Sequence, residues 1–499
     1  MKKNSLVIFF VFSLCLPSFA SFDFNANCKS AYEKIVSLRF DEGLALLKTE
    51  KTTNPENVIP YYVENYVDFL KLFISEDATL FNTLEPNKDL RIAKIKESDE
   101  DSPYYNYCLA EINLQWAFSR IKFKEYFTAV SEINKAYKLL EENEKKFPDF
   151  VPNHKGLGLL HAIIGTIPDD FKWTTTLIGV TGTIKQGVSE LASVLSSSMK
   201  NSEYRYLKTE SIFMLTFIQL NFQSNKVQAI KLGKYLEDTS YVSLTKCNPL
   251  LCYAAASIAI RTGANDKAIE ILLSRPKTSE YYPFYYLDYL TGVAKLNRLD
   301  FDCYKYLTSF LTNFKGQNYI KAAWQKLAWY YLINKNTQKY TEKMGYAVTF
   351  GNAMVDEDNQ ALLEAKSKTI PNTRLLIARL LFDGGYYQQA LDSLTRLKPD
   401  VFCVTTKDYL EYTYRLGRIY DDLGNSTQAI LFYQMTISNG SEFTYYYAAN
   451  SSLQLGLIYE NLKDTVKAKY YYGLCSTMKN TEYKNSISQK AKAGLNRLQ

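Results

Sequence analysis

Histidine is nearly absent. With only His154 and His161 among 499 residues, two helical turns apart and with no third ligand recognisable nearby, there is little from which to build a zinc site, which takes three or four ligands. No HExxH, no GxSxG and no cysteine set beside a suitable histidine occurs, so hydrolases built on those groups have no visible nucleophile or base. Glycine (21) and proline (13) are scarce, which disfavours folds rich in tight turns and leaves a helical composition. After the first twenty residues no apolar run approaches the ~20 residues of a bilayer-spanning helix. Clustered Lys/Arg stripes of the kind that neutralise phosphates are also missing, so nucleic acid is not an expected partner. The acid pairs Asp169–Asp170 and Asp421–Asp422 and the run Asp99, Glu100, Asp101 fall at predicted helix starts or turns, where carboxylates cap backbone N–H groups and meet the helix dipole. Gly179, Gly182 and Lys185 lack the Gly-Lys-Ser/Thr order of a phosphate loop, and close helix packing accounts for such glycines better. The sequence therefore predicts no catalytic residue, no metal and no cofactor.

The amino terminus carries an address. Lys2 and Lys3 precede an apolar run from Leu6 to Leu16, followed by Pro17, Ser18 and Ala20. This is the layout of a secretory signal peptide, with cleavage expected near Ala20, and it predicts an exported chain, periplasmic or secreted. Without the two leader lysines the formal charge is +5. Beyond Cys15 in the leader, the cysteines are Cys28, Cys108, Cys247, Cys252, Cys303, Cys403 and Cys475. In an oxidising compartment Cys247 with Cys252, or Cys28 with Cys108, could pair, but the scattered spacing is not a disulfide framework, and small apolar packers inside helices is the favoured reading.

What is present is periodicity. Apolar residues recur at three- and four-residue spacing almost throughout, the mark of amphipathic helices. The pattern then repeats on a longer scale. Ile377-Ala378-x-x-Leu381, Leu416-Gly417-x-x-Tyr420 and Leu455-Gly456-x-x-Tyr459 are offset by 39 positions, and Ala390, Ala429 and Ala468 keep the same offset, as do Ala229 and Ala268. Two antiparallel helices approach closely only where facing residues are small, so Gly417 is expected to lie against Ala429, with Leu416, Tyr420 and Tyr433 filling the flanks. Each hairpin then has an apolar face that the next must cover, which makes the array a solenoid. A helix from Asn485 to Leu498, with Ile487, Ala491, Leu495 and Leu498 on one stripe, is the expected polar C-terminal cap. Towards the amino terminus, Pro103 opens a long pair, Tyr105 to Arg120 and Glu125 to Lys146. The one expanded spacing, Ala328 to Ala378, predicts an extra helix or loop ending at Pro371.

These residues resemble tetratricopeptide repeats. Trp324-x-x-Leu327-Ala328-x-x-Tyr331 matches the first helix of that family's pattern, and Leu416, Gly417, Tyr420, Gly424, Ala429 and Tyr433 match across both helices. Weaker copies run through Trp116, Ala117, Ala129 and Ile133, and through Phe213, Leu220 and Ala229. Tyr304 and Tyr340 depart from the pattern by replacing its small second-helix residue, and the period exceeds the family's ~34. The glycine-rich stretch from Gly156 to Leu191, with Pro168, Asp169 and Asp170, and the Phe314-Lys315-Gly316-Gln317-Asn318-Tyr319-Ile320-Lys321 patch are similar to the eukaryotic inclusion-body-clearance family of tetratricopeptide proteins. The layout also resembles exported repeat proteins of Bacteroidetes. The resemblance implies an all-α, right-handed α-solenoid of TPR-like helical hairpins. The expected organisation is a signal peptide over 1–20, an N-terminal helical region over 21–102, a long helical pair plus glycine-rich hairpin over 103–200, TPR-like repeats over 201–350, TPR repeats over 351–482 and the capping helix over 483–499.

Function follows from the surface such an array presents. In the repeat frame, the first-helix positions expected on the concave face include Gln325, Trp329, Leu375, Arg379, Tyr414, Arg418, Asn450 and Leu457. Arg379 and Arg418 are 39 residues apart and should stack in register, a ladder able to bind the carboxylates of an extended peptide. The leading expectation is a non-enzymatic scaffold of the cell envelope that holds a protein or peptide segment. A SusD-like glycan-binding role is the alternative, with the 41 tyrosines as sugar platforms. An all-helical carbohydrate-active enzyme is a further one. Oligomeric state is not legible in the sequence.

Overall fold

The computed structural model describes residues 21–167, 179–221, 246–475 and 477–498. The leader, Asp169–Asp170 and Ala229 lie outside these. The described residues are helical, with one isolated bridge between Ser21 and Asn57 and no strand. They divide into two compact units, one formed by the residues up to Phe222 together with Lys277–Tyr282, the other by 223–276 and 283–499.

The first unit contains α1 (Ala26–Val36), α2 (Phe40–Thr53), α3 (Ile59–Ser75), α4 (Ala78–Leu84), α5 (Pro86–Lys96), α6 (Pro103–Lys122), α7 (Tyr126–Lys146), α8 (Asn153–Ile164), α9 (Ile184–Lys200) and α10 (Lys208–Asn221). The helices α1 and α2, α6 and α7, and α8 and α9 pair as antiparallel hairpins. The glycines singled out in the sequence serve the last pair. A Cβ on Gly187 would stand 2.2 Å from the Gly158 carbonyl oxygen, so backbone meets backbone where these helices cross.

The second unit contains α11 (Pro249–Arg261), α12 (Asn265–Ser274), α13 (Tyr286–Asn297), α14 (Cys303–Asn313), α15 (Ile320–Ile333), α16 (Thr337–Thr349), α17 (Asp356–Ser367), α18 (Thr373–Asp383), α19 (Tyr387–Thr395), α20 (Thr406–Asp422), α21 (Ser426–Gly440), α22 (Tyr447–Asn461), α23 (Thr465–Cys475) and α24 (Lys484–Arg497). Hairpins follow in chain order, each packed on the next, and α17 is the helix that occupies the expanded spacing before Pro371. The last helix caps the stack: Ile487 and Ala491 are buried and Leu495 and Leu498 pack against the same core.

One local device recurs at the hairpin turns. Leu38, Lys124, Gly263, Leu299, Lys335, Gly385, Gly424 and Lys463 all have positive φ and stand just past the end of a hairpin's first helix. The next residue's N–H returns to a carbonyl five residues back, as in Asn425 to Tyr420 (2.8 Å) and Asp464 to Tyr459 (2.9 Å). This closure satisfies carbonyls orphaned at the helix end and reverses the chain in few residues.

The small residue of the first helix faces an aromatic ring. A Cβ on Gly417 would meet the ring of Tyr433 at 2.6 Å, and one on Gly456 the ring of Tyr472 at 2.4 Å. The small first-helix residue thus makes room for an aromatic of its partner helix, and Ala429 is buried in the same core cluster as Tyr433. Tyr340, the departure from the family pattern, is also accounted for: its hydroxyl donates to Glu364 on the inserted α17 (3.3 Å). Asp358, on the same inserted helix, accepts from the Tyr319 and Ala322 N–H groups (2.6 and 2.8 Å) and so caps α15 from outside its own chain segment.

Candidate ligand-binding groove

First and second helices of the second unit are buried to different degrees, and this singles out a candidate face. In α22, Tyr447, Ala448, Ala449, Ser451, Ser452, Leu453, Leu455, Gly456, Ile458 and Tyr459 are buried, whereas α23 buries only Ala468, Tyr472 and Cys475. The first helices α13, α15, α18, α20 and α22 therefore form an inner layer that also packs on itself, and the second helices an outer one. What remains exposed of the inner layer is the candidate site.

Arg379 and Arg418 occupy this face in matching settings. The Arg379 guanidinium carbon lies 4.9 Å from the ring centre of Trp329, one inner helix back, and that of Arg418 lies 4.9 Å from the ring centre of Phe382, again one inner helix back. Each guanidinium is stacked on an aromatic ring of the preceding inner helix, an arrangement that uses the guanidinium face and leaves N–H edges for other partners. Those edges are lightly engaged: Arg418 donates to the Tyr414 hydroxyl (3.1 Å), and Arg379, with 38% of its side chain exposed, has only Asp383 at 3.7 Å. Between them Arg415 is tied to Glu411 through two guanidinium nitrogens, and the Tyr447 hydroxyl donates to the other Glu411 oxygen (3.0 Å).

Beside Arg379 stands a cluster built on Trp329. Its Nε1–H donates to Glu364 Oε1 (2.8 Å), and the Gln325 amide donates to Glu364 Oε2 (2.6 Å). With Tyr340 as a third donor, the Glu364 carboxylate is held by α15 and α16 together. Lys326 Nζ lies 3.7 Å from the Trp329 ring centre and donates to Gln325 Oε1 (3.0 Å). It makes no ion pair among the described residues. Burial, then the like charge of Arg379, pulls its amine down to about 7.

The carboxyl-terminal elements close round the same face. Tyr446 packs on Tyr414 (5.5 Å between ring centres) and on Tyr483, which leads into α24 (5.1 Å). Lys490 of α24 is held below the ordinary lysine value by burial and by the like charges of Arg261 and Arg418, which places α11, α20 and α24 within electrostatic reach of one another.

Of the residues expected on the groove, Arg379 and Arg418 are partly exposed on it, and Asn450 is half-buried and accepts from Gln454 (3.0 Å). Gln325, Trp329 and Tyr414 are buried and support the arginines from beneath. Leu375 is buried in the hydrophobic core and is not a groove residue, while Leu457 is exposed. Sequence reasoning missed Lys326, Glu364 and Tyr483. Lys326 carried a signal, since it precedes Trp329 by three residues and so shares its helix face; Glu364 carried none, because the register of the inserted helix is set by packing.

The first unit holds a different polar cluster, wholly internal. Lys155 is fully buried, 2.6 Å from Glu111 and 3.0 Å from Glu210. Tyr66 donates to both carboxylates (3.1 and 3.2 Å), Tyr32 donates to Glu210, and Tyr62 bonds Tyr107 (3.0 Å). Burial would lower the Lys155 amine, but the two carboxylates outweigh it and keep the lysine charged, while burial pushes the four phenols well above their ordinary value. These groups tie α1, α3, α6, α8 and α10 together, with Glu111 Oε1 left without a hydrogen-bond partner among the described residues. His154 and His161 are each held by a carboxylate of their own, Glu144 (2.9 Å) and Glu190 (2.7 Å).

No family model matches the chain, and no curated protein does. Among solved structures the chain is similar to one titled "Crystal structure of APC/C hetero-tetramer Cut9-Hcn1", with 12% identity over 93% of this chain and 95% of that chain and a TM-score of 0.23. Similarity of that degree carries no argument here. The fold class rests on the chain's own helices: an all-α stack of helical hairpins with a C-terminal capping helix.

Proposed function

We propose that this chain is an exported, non-enzymatic scaffold of the tetratricopeptide type, which holds an extended, carboxylate-bearing protein segment along the inner layer of its second unit. The observation that carries the reading is that the Arg379 and Arg418 guanidinium groups each stack on an aromatic ring of the preceding inner helix, Arg379 with Asp383 3.7 Å away. Guanidinium edges fixed in this way are pre-organised for carboxylates, and their spacing follows the repeat. Glycan capture is less well supported, because a sugar platform must expose its ring face and Trp329 and Tyr414 are buried beneath cations and neighbouring rings. Export rests on Lys2, Lys3 and the apolar run that follows them.

The test is partner capture from cell-envelope extract by in-cell crosslinking, with the wild type and with Arg379→Glu/Arg418→Glu. Reversing both charges is expected to remove the crosslinked partners; an unchanged partner set counts against the groove. Fractionation of cells expressing the full chain reads the leader directly, and retention in the cytoplasm would refute export.

A further inference from the structure

We propose that the buried cluster of the first unit keeps a proton on Glu111 at neutral pH, and that this proton locks the joint where α1, α3, α6, α8 and α10 meet. Charge balance is the first reason. Glu111 and Glu210, with side chains 4% and 11% exposed, face a single cation set between them, the fully buried Lys155, 2.6 Å from one and 3.0 Å from the other. One lysine balances one carboxylate, and a second negative charge left over in the interior lies higher in free energy than a carboxyl group that has taken up a proton.

The hydrogens available for bonding point to the same residue. Tyr66 has one hydroxyl proton to give, yet its oxygen lies 3.1 Å from Glu111 Oε2 and 3.2 Å from Glu210 Oε1. When that proton serves Glu210, the contact with Glu111 is a hydrogen bond only if Glu111 supplies the hydrogen. The other Glu111 oxygen, Oε1, is buried without a partner among the described residues and packs on Gly156, where an added Cβ would stand 2.8 Å from it. An ionised oxygen stripped of donors is heavily penalised there, whereas the carbonyl oxygen of a neutral acid loses far less. Burial raises the Glu111 carboxyl above its ordinary value, Lys155 pulls it back and Glu210 raises it further. The other titratable groups of the cluster are Tyr32 of α1, Tyr62 and Tyr66 of α3, Tyr107 and Cys108 of α6, and Tyr206 just before α10. Burial pushes all six up, so none of them carries a negative charge in place of Glu111. Because the folded chain then binds more protons than the unfolded one, the joint weakens as pH rises from the ordinary carboxyl range to the raised value.

Infrared spectra of the full mature chain near pH 7.5 read this proton directly, since the carbonyl stretch of a protonated carboxyl group stands apart from carboxylate and amide bands. Wild type should show the band, and Glu111→Gln should lack it. Glu210→Gln should also lack it, because Glu111 then ionises as the sole partner of Lys155. Lys155→Met, which removes the cation, should leave both carboxyl groups protonated and about double the band. Urea unfolding between about pH 5.5 and 7 gives a second readout: the wild-type folding equilibrium should fall about tenfold more per pH unit than that of Glu111→Gln. His154 and His161 titrate in this span in both proteins, so the difference isolates Glu111. A wild-type spectrum without the band overturns the proposal, whether or not the variants fold. So does a band that survives in Glu111→Gln, or an unfolding slope that the two proteins share.

Discussion

Tyr472 offers the sharpest test of how these hairpins nest. Its ring is fully buried and held on two sides by glycine: a Cβ on Gly456 of α22 would lie 2.4 Å from it, and one on Gly494 of α24 would lie 2.5 Å from it. Its hydroxyl donates to Glu460, which also pairs with Arg497 (2.8 Å). Carbon atoms rest at about 3.5–4.0 Å, so a methyl at Gly456 demands a displacement of about 1 Å from a ring with no room behind it. Overpacking of this kind costs typically 1–3 kcal/mol. The substitution also replaces a helical glycine, which by itself would return up to about 1 kcal/mol. Gly456→Ala should therefore be destabilising by about 1–2 kcal/mol net. Gly473→Ala, in the neighbouring helix with nothing within 4 Å of its added Cβ, should be neutral or slightly stabilising. Urea denaturation followed by circular dichroism compares the two, and hydrogen exchange of α23 and α24 shows whether the loss falls on the last hairpin and cap, as nearest-neighbour coupling requires. Combining Gly456→Ala with Tyr472→Leu should cost less than the sum of the single changes, since the methyl then has space. If Gly456→Ala proves as stable as Gly473→Ala, the packing account of the repeat is wrong.

Two further outcomes follow from local chemistry. Lys463 holds the left-handed turn position that Gly385 and Gly424 hold in the two preceding repeats (φ 62°, 81° and 78°); Lys463→Gly should stabilise by a few tenths to about 1 kcal/mol and Gly424→Ala, which meets no atom within 4 Å, should destabilise by about 1 kcal/mol through backbone strain alone, both read by urea midpoints, and equal midpoints would refute it. The buried Glu50 carboxylate accepts from the side-chain amides of Asn25, Asn27, Asn54 and Asn57 (2.7–3.0 Å), and although burial raises its pKa, the four amides together outweigh this and hold it at about 2. Its contribution is therefore present above the ordinary carboxylate range and lost as pH falls towards 2; Glu50→Gln should cost about 1–3 kcal/mol at neutral pH and little at the acid end, and an acid-unfolding curve parallel to the wild type would count against it.

The sequence by itself determined the helices, their pairing and their repetition, because these are local. Three- and four-residue apolar spacing specifies a helix face, and the matched small residues and their 39-residue offsets specify that one hairpin must lie on the next. The capping helix was legible for the same reason, as a stripe of Ile487, Ala491, Leu495 and Leu498. The arginine ladder was visible as spacing. Tertiary structure decided what those residues touch. Gly417 faces Tyr433, because an aromatic ring from the partner helix fills the space a missing Cβ leaves. Trp329 became a buried anchor of the inner layer, because α17 brings Glu364 to its indole nitrogen and two cations cover its ring. Lys155, Glu111 and Glu210 meet though Glu111 stands 44 positions before Lys155 and Glu210 stands 55 after it, on three different helices. Spacing along the chain fixes which face of a helix a residue occupies; which residue from another helix arrives opposite it depends on crossing positions that no local period encodes.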